Sequence, residues 1–204
     1  MMPLTDVHLR RLIEGATPVN EHPVHELLLE KALEDTAQGG DDGTRRLLTR
    51  ASGHRLSRGD LEVARQNAQV SGQRGEEFVS VYVSGLISSG NLVSFEWSSQ
   101  ENAISPFDFL IANKDGSKVL IDVKSTSGEF DRRIHISTNE LQTMAADVRQ
   151  YDLYRVFEIE GNGAQLRIAR DLRYFGQSVL ESFSAVPEGV TIDGISVIPE
   201  YFAF

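Results

Sequence analysis

The chain has 204 residues, of which 40% are apolar and 25% charged, with 17 glycines, 6 prolines and no cysteine. These figures exclude a disulfide scaffold, a collagen-like repeat, zinc-thiolate chemistry and thiol catalysis, and they suffice for one core with a smaller appendage. The formal charge of −10 argues against a general polycationic grip on nucleic acid, yet it is unevenly spread: between Thr44 and Arg74, Arg45, Arg46, Arg50, Arg55, Arg58, Arg65 and Arg74 oppose only Asp60 and Glu62, so that stretch is +5 and the remainder −15.

Asp6, Arg10, Arg11 and Glu14 stand where a signal peptide would need its apolar core, and no apolar run reaches the length of a membrane span, so a cytoplasmic protein without membrane contact is expected. Residues 1–70 read as helices broken by turns. Leu9, Leu12 and Ile13, then Val24, Leu27, Leu28 and Ala32, recur at helical spacing, with a break at Gln38 to Gly43. A further helix begins at the capping-box spacing of Ser57 to Asp60 and runs to about Gly72. This first region is expected to be a helical extension that contacts DNA or forms a dimer surface. Its arginines either neutralise phosphates or form a solvated helix face.

Residues 71–204 read as a second, α/β domain. Glu76 to Leu86 is an amphipathic helix striped by Phe78, Val79, Tyr82, Val83 and Leu86. Strands follow at Leu92 to Trp97, Phe107 to Ala112 and Val119 to Val123, the last two joined by the turn Asn113 to Gly116. Ser137 or Thr138 caps a helix from Asn139 to Val148, Tyr151 to Ile159 is a strand, and a helix from Asp171 to Phe183 and a strand from Thr191 to Ile198 close the chain.

Asp122 and Lys124 alternate along a strand and therefore project from one face, while Ile121 and Val123 take the other. With Asp108 on the neighbouring strand, two carboxylates approach each other, an arrangement that calls for a hard divalent cation; the bland alternative is an exposed ion pair. On the helix, Glu76 lies about 90° from the centre of the apolar stripe and Glu77 about 170°, so Glu76 can reach a site beside the sheet and Glu77 points to solvent. Glu76 also has the bland reading of an acid complementing the helix dipole. Asn139 and Glu140 either steady the first turn of their helix or support the site. Tyr151 and Tyr154 read as packing residues more than nucleic-acid contacts. Arg132, Arg133 and Arg155 either meet phosphates or are unremarkable surface arginines. His135 falls near the site on a strand read as facing solvent, and His22 and His25 lack the spacing of a helical metal pair.

Gly75-Glu76, Ser105-Pro106-Phe107-Asp108 and Ile121-Asp122-Val123-Lys124-Ser125-Thr126, in the order helix, three strands, helix, strand, resemble the PD-(D/E)xK nuclease superfamily. More narrowly, Ile121 to Thr126, Ser137 to Leu141 and Tyr151 to Val156 look like the NO VEIN C-terminal domain. The resemblance covers about Gly72 to Ile159 and departs from the superfamily pattern where Phe107 separates Pro106 from Asp108. It implies a restriction-endonuclease-like core acting as a metal-dependent nuclease on DNA, in restriction or phage defence, alone or beside a helicase or restriction partner; with one such site per chain, cutting both strands calls for a homodimer or two sequential events. Asp108, Asp122 and the Val123 carbonyl would then hold Mg²⁺, with Mn²⁺ able to substitute. Glu76 would join the metal directly or through water. Lys124 would orient or activate the attacking water and offset developing charge. The competing expectation is a catalytically silent domain of the same fold that binds nucleic acid or assembles with a partner.

Overall fold

A computed structural model describes residues 58–204, with side chains from Gln66 onward; the readings for residues 1–57 lie outside it. The chain divides into two units, Met1–Val70 and Ser71–Phe204, and the second holds every strand of the described residues.

Helix α1 (Arg58–Ser88) is one continuous helix where the sequence suggested two, because Gly72 and Gly75 are accommodated within it. It ends in a Schellman motif: Gly90 takes φ +71°, its N–H donates to the Ile87 carbonyl (2.8 Å), and the Asn91 N–H donates to Leu86 (2.7 Å). Strand β1 (Leu92–Trp97), the short helix α2 (Ser98–Glu101), β2 (Phe109–Asn113) and β3 (Lys118–Ser125) come next. The turn between β2 and β3 has Gly116 at φ +84° and Asp115 Oδ1 accepting from the Ser117 N–H (2.9 Å). Strand β4 (Ile134–Ser137) leads into α3 (Thr138–Ala146), then β5 (Gln150–Glu160), β6 (Gly163–Ala169), α4 (Arg173–Phe183) and β7 (Gly194–Val197) complete the unit.

The main sheet has the order β1-β2-β3-β5-β6, antiparallel except for the parallel pair β3 and β5; β4 and β7 form a separate antiparallel ribbon. The unit is therefore mixed α/β, with the expected order of helix, three strands, helix and strand, into which α2 and β4 are inserted. Strand β6 was not anticipated. Its alternation of Ala164, Leu166 and Ile168 with exposed residues, after Asn162-Gly163, is the signal that could have found it. Among the described residues no helix is long and apolar enough to cross a membrane.

Each sheet face has its own core. Val79 and Val83 of α1 pack on Phe109, Ile111, Val119, Ile121 and Val156, while Leu141 and Met144 of α3 pack on Leu120, Tyr151 and Leu153. Alternation along β3 thus sends Ile121 and Val123 toward α1 and sends Asp122 and Lys124 toward α3. Tyr82, read as part of the α1 stripe, instead sits at its edge, 41% exposed, with its ring edge-on to Tyr154.

Candidate functional site

Asp108 is not on a strand, as the sequence reading had it. β2 starts one residue later, at Phe109 opposite Ile121, and beyond that point the two strands separate. Asp108 bridges the opening: its N–H donates to the Ile121 carbonyl (2.8 Å), and its Oδ2 accepts from the Val123 N–H (2.7 Å). The N–H and carbonyl of one strand residue share an edge, so the Val123 carbonyl points to the edge that Asp108 occupies. The loop before Asp108 is pinned by the Tyr151 hydroxyl, which donates to the Pro106 carbonyl (2.6 Å), and by Ser105 Oγ, which donates to Phe107 (2.6 Å). Tyr151 is buried, and burial together with Asp122, Glu140 and Asp108 holds its hydroxyl well above the usual phenol range.

On the α3 face, Lys124 Nζ lies 3.1 Å from Asp122 Oδ2 and 2.8 Å from Glu140 Oε1. Glu140 has two tasks. Its Oε2 accepts from the Ser137 N–H (2.6 Å) while Ser137 Oγ accepts from the Glu140 N–H (3.2 Å), so the capping box of α3 delivers the other carboxylate oxygen to the lysine. Asn139, one residue earlier, is exposed, and its carbonyl accepts from Thr143 Oγ1 (2.9 Å).

The electrostatics are those of an acidic cluster short of positive charge. Burial, then the charge of Glu76, lifts the Asp108 carboxyl to about 6, against the pull of the Val123 N–H and Lys124. Burial raises the Asp122 carboxyl well above the usual carboxylate range, Lys124 opposes, and Glu140 and Asp108 add to the rise. Burial works against the ammonium of Lys124, yet Asp122 and Glu140 together outweigh it and keep Lys124 charged beyond its ordinary range. Asp122 Oδ2 is buried and meets the Lys124 ammonium at 3.1 Å, a contact that falls short of a well-directed hydrogen bond. His135 on β4 is half-buried where a solvent-facing residue was expected, and burial followed by Lys124 lowers its pKa.

Glu76 approaches from the α1 side. Gly75 makes this possible: a Cβ there would collide with Ser125 Cβ and come within 2.7 Å of Ser125 Oγ, which itself donates to the Ser71 carbonyl (2.9 Å). Glu76 Oε2 accepts from Trp97 Nε1 (2.8 Å) and Ser99 Oγ (2.6 Å), two partners the sequence did not reveal. Glu77 is exposed, and its Oε1 accepts from Gln73 (3.1 Å). Asp108 is thus the meeting point, with Glu76 on the α1 side and Asp122, Lys124 and Glu140 on the other.

The arginines lie differently from their sequence reading. Arg155 is fully buried in β5 and is no surface phosphate contact: its Nη1 donates to the Lys124 carbonyl (3.3 Å) and its Nη2 to the Arg132 carbonyl (3.0 Å), tying the loop after β3 to the strand. Arg133 donates to the Ser196 carbonyl (3.2 Å), and the Arg132 guanidinium lies over Gly128. The readings for Arg45, Arg46, Arg50 and Arg55 fall outside the described residues, as does the side chain of Arg58.

Among the described residues no three His, Asp or Glu side chains converge tightly enough to ligate an ion unaided. The donor set nevertheless fits a hard cation that keeps most of its water: the buried Asp122 carboxylate and the half-buried Asp108 carboxylate, beside an outward strand carbonyl.

Residues 75–169 match the family described as Protein NO VEIN, C-terminal. The matched segment opens at the glycine that lets α1 reach β3 and contains Glu76, Asp108, Asp122, Lys124 and Glu140. Neither a curated protein nor a solved structure matches the chain.

Proposed function

We propose that residues 71–204 are a NO VEIN C-terminal domain with a restriction-endonuclease-like core of the PD-(D/E)xK type, and that the protein is a Mg²⁺-dependent endonuclease hydrolysing phosphodiester bonds in DNA. The observation that carries this reading is the buried Asp122 Oδ2, left without a directed partner beside the raised carboxyl of Asp108, while the ammonium of Lys124 is shared with Glu140. Asp108, Asp122 and the Val123 carbonyl would hold the ion, in whose place Mn²⁺ would serve. When bound, it supplies Lewis-acid stabilisation of charge building on the phosphoryl group. Lys124, paired with Asp122 and Glu140, would orient or activate the attacking water and offset developing charge. Restriction or phage defence, as a homodimer or with a helicase or restriction partner, is the setting that the family resemblance suggests.

A second reading, a silent domain kept for nucleic-acid binding or partner assembly, draws on the absence of a three-side-chain metal cluster among the described residues and on the ion pairs that already engage Lys124. Cleavage assays decide between them: circular and linear DNA, single- and double-stranded, and RNA, with Mg²⁺ or Mn²⁺, for wild type, Asp122→Asn and Lys124→Ala. Metal-dependent cutting lost in both folded variants supports the enzyme. A folded wild type that cuts nothing under any of these conditions favours the silent domain.

A further inference from the structure

Glu76 stands in the middle of α1, not in its first turn, and its carboxylate is held by partners from outside the helix. A carboxylate oxygen offers about two lone-pair directions, and both on Oε2 are used, by the Trp97 indole N–H at 2.8 Å and the Ser99 hydroxyl at 2.6 Å. The two donors are also joined to each other, since Trp97 Nε1 lies 3.0 Å from Ser99 Oγ. The same serine reaches the other carboxylate residue: its backbone N–H donates to the Asp108 carbonyl at 3.2 Å. Trp97 pairs with Phe109 across β1 and β2, next to Asp108, and its ring packs on that phenylalanine with centroids 5.1 Å apart. The four-residue α2 therefore brackets Glu76 and Asp108 in a fixed relation, although they come from different elements.

We propose that Trp97 and Ser99 are positioning residues of this site: by occupying Oε2 they present Oε1 as the atom through which Glu76 serves a divalent cation held at Asp108. The proposal rests on the metal reading above and adds which oxygen is used and what fixes it. A carboxylate free to rotate would offer either oxygen and lose part of its attraction in ordering itself. One already fixed by two charge-assisted hydrogen bonds does not. Partners of this supporting kind alter metal affinity by about 10- to 100-fold when removed.

The test uses the full chain, in which Trp97 is the single tryptophan, so its indole N–H gives one signal in a ¹H–¹⁵N spectrum. In chelator, that signal is expected to move in Glu76→Gln and Ser99→Ala and to stay in place in Glu77→Gln; a signal unmoved by Glu76→Gln overturns the bracket without reference to any metal. Free Mn²⁺ is then titrated by its paramagnetic resonance signal. Ser99→Ala and Trp97→Phe are expected to bind about tenfold more weakly than wild type, with Ser99→Thr restoring affinity and Glu77→Gln unchanged. Wild-type binding that Ser99→Ala leaves intact overturns this proposal and spares the metal reading. A folded wild type that binds no Mn²⁺ overturns both.

Discussion

Asp108 sits where a carboxylate is costly without a cation, and that cost has a measurable sign. Its carboxyl is raised from 3.8 to about 6 by burial and by Glu76. An acid whose folded pKa is raised favours the protonated folded state, so its contribution to stability is best below the unfolded value and falls as pH rises through the folded one. The affected window runs from 3.8 to about 6. In chelator at neutral pH, Asp108→Asn is therefore expected to be more stable than wild type by about 1–3 kcal/mol, with the margin closing at acid pH. Its amide oxygen can still accept from the Val123 N–H. Thermal melts of the two proteins at both pH values check this, and a variant less stable at neutral pH contradicts it. Glu140 allows a second test, because its two oxygens serve different masters. Ser137→Ala should cost about 1 kcal/mol through the lost cap and leave cleavage near normal. Glu140→Gln keeps an oxygen for the cap and should lower the cleavage rate about tenfold with a smaller loss of melting temperature. Of these residues the sequence displayed Asp108, Asp122 and Lys124 through spacing. Trp97, Ser99 and Tyr151 were not legible as partners, because their polar atoms reach residues 21, 23 and 45 positions away.

At the scale of elements, α1 and β3 decide where Glu76 stands. Gly75→Ala gains about 1 kcal/mol of helix propensity, but the added Cβ meets Ser125 on β3. Overpacking of this sort costs about 1–3 kcal/mol, so the variant is expected to unfold at lower urea concentration, and Gly75→Ala combined with Ser125→Gly should recover most of the loss. The β2–β3 hairpin was legible because Asn113 to Gly116 encodes its turn locally, and the α3 cap was legible because Ser137 and Glu140 are three residues apart. Element ends were less so. The helix read to Val148 stops at Ala146, where Asp147 turns to bind Arg149 with both oxygens (2.9 and 2.6 Å) and Val148 is left 90% exposed. The early end of pairing that frees Asp108 depends on where α2 and the Pro106 loop dock, which no local pattern records.

For the whole molecule, binding and cutting should separate. The arginine stretch from Thr44 to Arg74 carries +5 in a chain of −10. If it holds DNA, binding in chelator should survive Asp122→Asn. Changing Arg45, Arg46 and Arg50 to Gln should weaken binding and flatten its salt dependence, the log–log slope falling by about 0.9 for each phosphate no longer neutralised. Fluorescence anisotropy at several salt concentrations measures that slope; an unchanged slope means that these three arginines do not hold the DNA.

By itself, the sequence determined the elements whose signals are local: the apolar stripe of α1, the hairpin turn, the capping box, and the alternation that places Asp122 and Lys124 on one side of β3. It also determined the segregation of charge, which is a property of composition. Only the tertiary structure decided that Asp108 caps an open strand edge, that Glu140 gives one oxygen to its helix and one to Lys124, that Arg155 is buried, and that Trp97 and Ser99 grip Glu76. These depend on atoms brought together across long sequence separations, and their energies arise from burial and directed hydrogen bonds that exist only once both sheet faces are covered.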